Sequence, residues 1–187
     1  MRNAKLLFLS VLLVMNIIAC AKKSEDAATS NPAASTSVAE TLAAYPIEGM
    51  DGLITQSGVV FDSTTSADGN GSLKIAAEAP TTVRLFETGD VDVENASIIY
   101  SARLRTENVE GKVFLEMWCS FAGRGEFFSR ALQAPLSGTV EWTSQETPFF
   151  LKPGENPDNV KLNVVIDGKG TVWIDEIRLV KGPLGDS

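Results

Sequence analysis

Histidine is absent from this chain of 187 residues. The sequence therefore lacks the most frequent general base of enzymes and the most frequent ligand of transition metals. A catalytic site of the Ser-His-Asp or Cys-His type is excluded. Catalysis by carboxylates and binding of a metal that prefers oxygen ligands, such as calcium, are still allowed.

Cysteine is almost as scarce, since the chain contains only Cys20 and Cys119. We assign Cys20 to a lipid anchor below, which leaves Cys119 without a partner. No intrachain disulfide is then expected, and a zinc site of cysteine and histidine is excluded. Because Cys119 lies in an apolar strand pattern, we predict a buried, inert thiol.

Basic residues are outnumbered, with 16 Lys and Arg against 24 Asp and Glu and a formal charge of −8. Nucleic-acid binding depends on Lys and Arg neutralising phosphates, so this chain is a poor candidate for it. Electrostatic docking on anionic lipid is equally disfavoured. Any association of this acidic protein with a membrane is therefore expected to depend on a feature other than basic charge.

The first 20 residues supply such a link. Arg2 and Lys5 precede an apolar run, Leu6–Val14, and then Ile17-Ile18-Ala19-Cys20. This order is typical of a secretory signal, and the run is too short to span a bilayer, which takes about 20 apolar residues. The last four residues resemble the lipobox of bacterial lipoproteins. The resemblance implies cleavage before Cys20 and acylation of that residue; the alternative is an ordinary signal peptide with a chance cysteine.

We predict three segments: a signal peptide at 1–19, a lipid-anchored flexible linker at 20–46 and one domain at 47–183. Residues 21–44 are rich in Ala, Ser and Thr and cannot form a packed face, although a short helix over 38–44 is allowed. Without Arg2 and Lys5 the charge of −8 becomes −10. The expected location is the cell envelope, on the outer membrane of a two-membrane cell because Ala21 is not aspartate. The membrane face is left open.

Alternation of apolar and polar residues predicts strands along the domain. The strongest candidates are Ala96–Arg105, Lys112–Phe121, Val160–Ile166 and Thr171–Val180, and weaker ones are Ser72–Ala76, Thr82–Phe86 and Glu126–Leu132. Turns are predicted at 68–71, 123–125 and 152–154, with a hairpin at Asp167-Gly168. Many short strands without a convincing helix indicate an all-β protein, an antiparallel β-sandwich.

Four segments in this order and spacing resemble the galactose-binding-like jelly rolls, including carbohydrate-binding modules of the family 4/9/22 type. They are Gly71–Ile75, Tyr100–Thr106, Trp142–Phe149 and Gly170–Leu179. The resemblance covers about residues 50–181 and implies a jelly roll of two antiparallel sheets, with Trp142 packed between them. Many members bind glycans on a concave sheet face or a loop rim, and many hold a structural calcium.

Parity along the strands selects candidate ligand-binding residues on the side away from the core. A large aromatic ring flanked by hydrogen-bonding groups suits a sugar, because the ring stacks and the polar groups bind hydroxyls. The candidates are Trp118, Glu116, Arg103, Arg105 and Asn163, with a rim contact at Arg124–Glu126. The alternative is a solvated sheet face, or a tryptophan covered by a loop.

Asp175 is the candidate metal ligand. It lies where the last predicted strand changes phase, so we predict a β-bulge near Asp175-Glu176. A carboxylate among apolar residues needs a partner. The resemblance implies calcium, with Glu48, Asp68 and Ser72 in the regions of its other contributors. Backbone N–H groups at the bulge are the alternative partner.

The favoured function is a non-catalytic, lipid-anchored envelope protein that binds a carbohydrate. The alternative is an envelope protein that docks another protein with its sheet face or rim. A third hypothesis is hydrolysis by carboxylates, which needs two acids facing each other across a cleft. No spacing in the sequence singles out such a pair.

Overall fold

The computed structural model describes residues 39–184. The predicted signal peptide, the lipidation site Cys20 and most of the predicted linker lie outside these residues. Within 39–184 there is no helix long and apolar enough to cross a membrane. The strands are β1 (Glu40–Tyr45), β2 (Val59–Asp62), β3 (Ser72–Ala77), β4 (Thr81–Glu87), β5 (Ala96–Phe121), β6 (Gly125–Arg130), β7 (Leu136–Leu151) and β8 (Asn159–Gly182).

Strands β5 and β8 organise the fold because they pair with each other from end to end. The first half of β5 and the last half of β8 lie between β7 on one side and β1 and β3 on the other, with β2 beyond β3. We call this the first layer. The remaining halves lie between β6 and β4 and form the second layer. Every pairing is antiparallel, which confirms the predicted fold class.

One hydrophobic core joins the two layers. It includes Ile98 and Leu104 from the first layer and Leu115 and Leu162 from the second, all fully buried. A polar contact also connects them, since Leu115 N donates to the side-chain Oε1 of buried Gln145 at 2.7 Å. Burial of alternate side chains from both layers is the source of the alternating pattern in the sequence.

The chain passes between the layers where Gly111 pairs with Gly168. A Cβ on Gly111 would lie 2.1 Å from the carbonyl oxygen of Asp167, and one on Gly168 would lie 1.9 Å from that of Glu110. Both glycines have positive φ. The predicted hairpin at Asp167-Gly168 is therefore wrong: these glycines allow two backbones to approach, and β8 continues through them.

The domain begins earlier than the predicted boundary at residue 47. Strand β1 falls inside the predicted linker, yet it pairs with the end of β8. Leu42 and Tyr45 pack against the core, and the Tyr45 ring stacks on Phe86 with centroids 4.2 Å apart. These contacts explain why an Ala- and Thr-containing segment forms a strand rather than a tether or a helix.

The predicted bulge at the end of β8 is confirmed. Ser101 pairs with Arg178 and Arg103 with Asp175, so one residue of β5 faces two of β8. Glu176, inside the bulge, has φ 49°. The three other predicted turns are also present, at 68–71, 123–125 and 152–154. Strands β2 and β7 were not predicted, because β2 is short and two of the buried positions of β7 are the polar residues Gln145 and Thr147.

Cys119 and Trp142 were both expected in the core, and only Cys119 is buried there. Cys119 is a free, fully buried cysteine, and burial raises the pKa of its thiol to about 12, as expected for an inert group. Trp142 is half-buried and lies outside the buried core, so the implied packing between sheets is not observed. Its strand changes register near this point, opposite Leu104–Thr106.

The crossing predicts a specific sensitivity at Gly168. Gly168→Ala should lower the free energy of unfolding by about 3 kcal/mol or more, because its Cβ meets backbone rather than a movable side chain. Gly58→Ala is the control, since that glycine also has positive φ but open space around it, and its cost should stay near 1 kcal/mol. Urea denaturation measures both. Equal effects would contradict the close approach at the crossing.

Candidate functional site

A groove of about 350 Å³ lies on the outer face of the second layer. Four neighbouring strands contribute to it, because their register places side chains of equal parity in rows across the sheet. Arg84 pairs with Asn163, Asn163 with Glu116, and Glu116 with Arg130. The groove is lined by Thr82, Arg84, Glu116, Trp118, Glu126, Lys161 and Asn163.

Glu116 is the centre of the hydrogen-bond network in the groove, and it is only 4% exposed. Its Oε1 accepts from Trp118 Nε1 at 2.7 Å and from Asn163 Nδ2 at 3.0 Å. Its Oε2 accepts from Arg130 Nε at 2.6 Å. Three donors on three strands are thereby held by one carboxylate, and the indole of Trp118 is fixed in orientation.

The protonation state of Glu116 follows from these contacts. Burial on its own raises the pKa of this carboxyl, and hydrogen bonds from Trp118, Asn163 and Arg130 together with the Arg130 charge lower it. The lowering contributions outweigh burial, so the pKa of Glu116 lies below its usual value. At neutral pH the network therefore contains an ionised carboxylate.

Trp118 presents an aromatic surface together with Phe128, which sequence reasoning missed. The two rings are 5.0 Å apart between centroids at an interplanar angle of 47°. Phe128 is 51% exposed, and the Arg130 guanidinium lies over its ring at 4.4 Å. A signal for Phe128 was available, because the predicted turn at 123–125 places it opposite Trp118 in a hairpin.

The other side of the groove is charged. Glu126 Oε1 accepts from Ser120 Oγ at 2.7 Å and forms an ion pair with Lys161. Hydrogen bonds from Lys161 and Ser120, and then the charges of Lys161 and Arg84, lower the pKa of Glu126. Burial raises the pKa of this group, but the lowering contributions outweigh it. The carboxylate is therefore ionised and shared among neighbouring donors.

Asn163 has one unsatisfied group. Its Oδ1 is buried and has no hydrogen-bond partner among residues 39–184, while its Nδ2 donates to Glu116. A buried carbonyl oxygen without a donor is costly and favours a hydroxyl or water donor at the groove. The groove thus combines an aromatic face, a free acceptor and charged donors.

The structure brings together three of the five predicted ligand-binding residues, Trp118, Glu116 and Asn163. Arg103 and Arg105 were also predicted on the side away from the core, but they lie in the first layer, away from this groove. Arg105 packs over the Trp173 ring at 5.0 Å, and Arg103 Nη2 donates to the Trp142 carbonyl at 2.9 Å. Parity could not separate the two layers, because β5 passes through both.

The residues of the predicted rim contact, Arg124–Glu126, do not all lie at the groove. Arg124 lies in the β5–β6 turn and forms an ion pair with Glu155 at 2.8 Å. Glu126 instead lines the groove. Of residues 124–126, the structure therefore places only Glu126, in β6, beside the other groove residues.

Asp175 is fully buried at the bulge and accepts three hydrogen bonds from backbone N–H groups. Its Oδ2 accepts from Ala67 N at 2.8 Å and from Asp68 N at 3.4 Å, and the Ser66 hydroxyl at 3.2 Å shares its one proton between this oxygen and Asp68 Oδ1. Its Oδ1 accepts from Glu176 N at 2.7 Å. This is the second of the two arrangements that the sequence allowed, and a cation at Oδ2 would face donors rather than oxygen ligands.

The other candidate metal ligands do not converge on Asp175. Asp68 accepts hydrogen bonds from Ser66 and Asn70, Ser72 Oγ donates to the Thr65 carbonyl at 2.6 Å, and Glu48 is exposed. Within residues 39–184 no group of three or more acidic, cysteine or histidine side chains could hold a metal ion. The residues do not fit a calcium site of the predicted kind, and we derive no chemistry from one.

The fold is similar to carbohydrate-binding modules of known structure. The CBM22-1 xylan-binding domain of Paenibacillus barcinonensis Xyn10C matches with a TM-score of 0.59 at 13% identity, over 79% of this chain and 97% of that domain. A family 16 carbohydrate-binding module matches with a TM-score of 0.54 at 15% identity, over 71% and 92% of the two chains.

A third match is to the CBM22-1 and GH10 modules of a Clostridium thermocellum endo-1,4-beta-D-xylanase, with a TM-score of 0.56 at 10% identity. It covers 79% of this chain and 30% of that longer chain. At these identities the likeness shows the fold. Scans of protein-family models and of curated proteins found no match.

The Glu116 network predicts a pH-dependent contribution to stability. Glu116→Gln should cost about 1–3 kcal/mol at pH 7, because Arg130 loses its charged partner. The pKa of Glu116 is lowered by folding, so this stability is present above the unfolded-state pKa and is lost as pH falls through the folded-state pKa. The difference in the free energy of unfolding between wild type and Glu116→Gln, measured by urea denaturation, should therefore become smaller at acidic pH.

Glu110→Gln is the matched control for this experiment. It removes an exposed ion pair with Lys169 and should change stability little at either pH. If Glu116→Gln lowers the free energy of unfolding by the same amount at acidic and neutral pH, Glu116 is not ionised in the folded protein and this account is contradicted.

The contacts of Asp175 predict the outcome of chelation. Because N–H and O–H donors already satisfy this carboxylate, EDTA should leave the melting temperature unchanged. Asp175→Asn should nonetheless destabilise the domain by about 1–3 kcal/mol, since an amide N–H would replace one acceptor. A calcium-dependent melting temperature that Asp175→Asn abolishes would instead establish the calcium site implied by the family resemblance.

Proposed function

We propose that this chain is a lipid-anchored, non-catalytic protein of the cell envelope that binds a carbohydrate in the second-layer groove. The observation that carries the proposal is the position of Trp118. Its ring is half-buried at a groove, is fixed by Glu116, and has polar side chains on its groove side.

The chemistry of the groove suits a sugar. Pyranose rings offer an apolar face for stacking on an aromatic ring and hydroxyls for hydrogen bonds at their edge. Trp118 and Phe128 supply the aromatic surface, and Asn163 Oδ1 supplies a free acceptor. The volume of about 350 Å³ lies within the range of about 300–1,000 Å³ that is typical of small-molecule sites.

The structural neighbours support the same class of ligand. The Paenibacillus domain is a xylan-binding domain, and the Clostridium modules were solved with xylohexaose. We extend only the ligand class, a glycan, to this chain. The support comes from fold and groove together, since neither would select a sugar by itself.

The carboxylates of the groove favour binding over hydrolysis. Glu116 and Glu126 both line it, which is the residue pair a glycosidase hypothesis would need. A glycosidase keeps one acid protonated by raising its pKa. Here the pKa values of both groups are lowered by hydrogen bonds and neighbouring cations, so neither is suited to be the general acid.

A second candidate function, docking of another protein, has one observation in its favour. Four large apolar side chains from β6, the following loop and β7 are exposed: Phe127, Phe128, Leu132 and Phe150. Exposed apolar groups of this kind are frequent at protein interfaces. Phe150, at 55% exposure, distinguishes the two functions because it does not line the groove.

Trp118 provides the test of carbohydrate binding. Trp118→Ala should weaken binding to a glycan identified on an array by about 1–3 kcal/mol, since the stacking surface is lost. The domain should stay folded, because the loss in stability should fall short of the about 3–5 kcal/mol typical of core aromatic residues. Calorimetric titration and urea denaturation measure the two quantities.

Phe150→Ala is the matched control, and glycan affinity should be unchanged in it. If Trp118→Ala keeps full affinity for the glycan, the groove is not the binding site. If no glycan on the array binds, and Phe150→Ala removes an interaction with an envelope protein, the docking function replaces the first proposal.

The lipid anchor rests on the sequence and has its own test. In a bacterial host fed labelled palmitate, the wild-type protein should be labelled and Cys20→Ala should not. Cys119→Ala should be labelled like wild type, because Cys119 is buried in the domain. Equal labelling of wild type and Cys20→Ala would rule out the anchor at Cys20.

A further inference from the structure

The charged side chains of the groove are not all paired. Two cations, Arg84 and Lys161, and two carboxylates, Glu116 and Glu126, line it. Glu116 is paired with Arg130, which adds a third cation at the edge. Glu87, which pairs with Lys161 in the β4–β8 ladder, adds a third carboxylate at the edge, so cations and carboxylates are equal in number there.

Arg84 is the cation of the lining that has no ion pair among residues 39–184. Lys161 is paired with Glu126 and Arg130 with Glu116. Within residues 39–184 the Arg84 guanidinium forms no ion pair. Its side chain is exposed at the groove, so an anion can reach it from solvent.

Arg84 lies directly beside the unsatisfied acceptor. It pairs with Asn163 in the β4–β8 ladder, and Asn163 Oδ1 is the buried oxygen without a donor. Asn163 in turn pairs with Glu116, next to Trp118. A free guanidinium, a free carbonyl oxygen and an aromatic ring therefore occupy adjacent strands of one face.

We infer that the groove prefers a glycan that contains uronic acid residues. This inference rests on the proposed carbohydrate binding and specifies its ligand. A uronic acid offers a ring face to Trp118, a hydroxyl donor to Asn163 Oδ1 and a carboxylate to Arg84. The planar guanidinium fork matches a carboxylate through two parallel hydrogen bonds.

Two carboxylates of the lining, Glu116 and Glu126, oppose an anionic ligand. Glu116 is compensated by Arg130, and Glu126 Oε1 is bound by Lys161 and Ser120. Arg84 forms an ion pair with neither carboxylate, so its guanidinium fork is available to a ligand. The preference for an acidic glycan thus comes from electrostatic attraction to Arg84 at one edge of the groove. Stacking on Trp118 contributes to the binding of neutral and acidic sugars alike.

The test compares polyuronides with their own neutral forms. Glucuronoxylan, polygalacturonate and alginate are each titrated before and after chemical reduction of their carboxylates to alcohols, which keeps each backbone and linkage. We expect the carboxylate form of the recognised backbone to bind about threefold to tenfold more tightly at low salt. The preference should shrink as salt is raised.

Variants assign the preference to Arg84. Arg84→Gln should remove the difference between the two forms while binding of the reduced form persists, and Arg84→Lys should retain part of it. Trp118→Ala should weaken both forms alike. Arg178→Gln is the control, because this arginine is paired with Glu176 in the first layer and should leave the preference intact.

The outcomes separate the inference from the proposed function. Binding of neutral glycans with no gain from carboxylates, or a preference that survives Arg84→Gln, overturns the inference and leaves carbohydrate binding standing. Absence of binding to every acidic and neutral glycan overturns the proposed function, and the inference falls with it.

Discussion

The antiparallel pairing of β5 with β8 is the interaction on which the rest of this structure depends. The two strands pair from Ser97 and Gly182 at one end to Ser120 and Asn159 at the other, and every other strand except β2 pairs directly with one of them. Their backbones can pass from one layer to the other only because Gly111 and Gly168 have no side chains. The β5–β8 pair positions the core, the bulge and the groove, because each of them contains residues from both strands.

The groove is a direct consequence of that register. Pairing of Glu116 with Asn163 and of Trp118 with Lys161 places an acid, an amide, an indole and an amine on one face. Strand β6 then adds Arg130, so the buried carboxylate has a charged partner and two further donors. A buried carboxylate with a satisfied network holds an aromatic ring at the surface in one orientation, which is what recognition of a sugar ring requires.

Sequence alone predicted segments of β3, β4, β5, β6 and β8 and the facing of many of their side chains, but not β1, β2 or β7. Alternation placed Met117 and Cys119 inside and Trp118 outside, and the phase change located the bulge at Asp175-Glu176. Long-range pairing could not be predicted in this way, because periodicity reports which face a residue is on and not which strand lies beside it. The same limit put Arg103 and Arg105 with Trp118, and made the glycines at the crossing resemble a turn. The partners of Asp175 were undecided, since calcium and backbone N–H groups satisfy a carboxylate equally in sequence terms.

The central claim is that a carbohydrate binds over Trp118, and the indole N–H signals test it most directly. The chain has three tryptophans, Trp118, Trp142 and Trp173, each with one indole N–H that is observable in a ¹H–¹⁵N correlation spectrum. On titration with a bound oligosaccharide, the Trp118 signal should shift saturably, since its N–H donates to Glu116 at the groove. The Trp173 signal, bonded to Asp62 in the first layer, should stay in place. A saturable shift confined to Trp142 or Trp173, with Trp118 unmoved, would contradict this account.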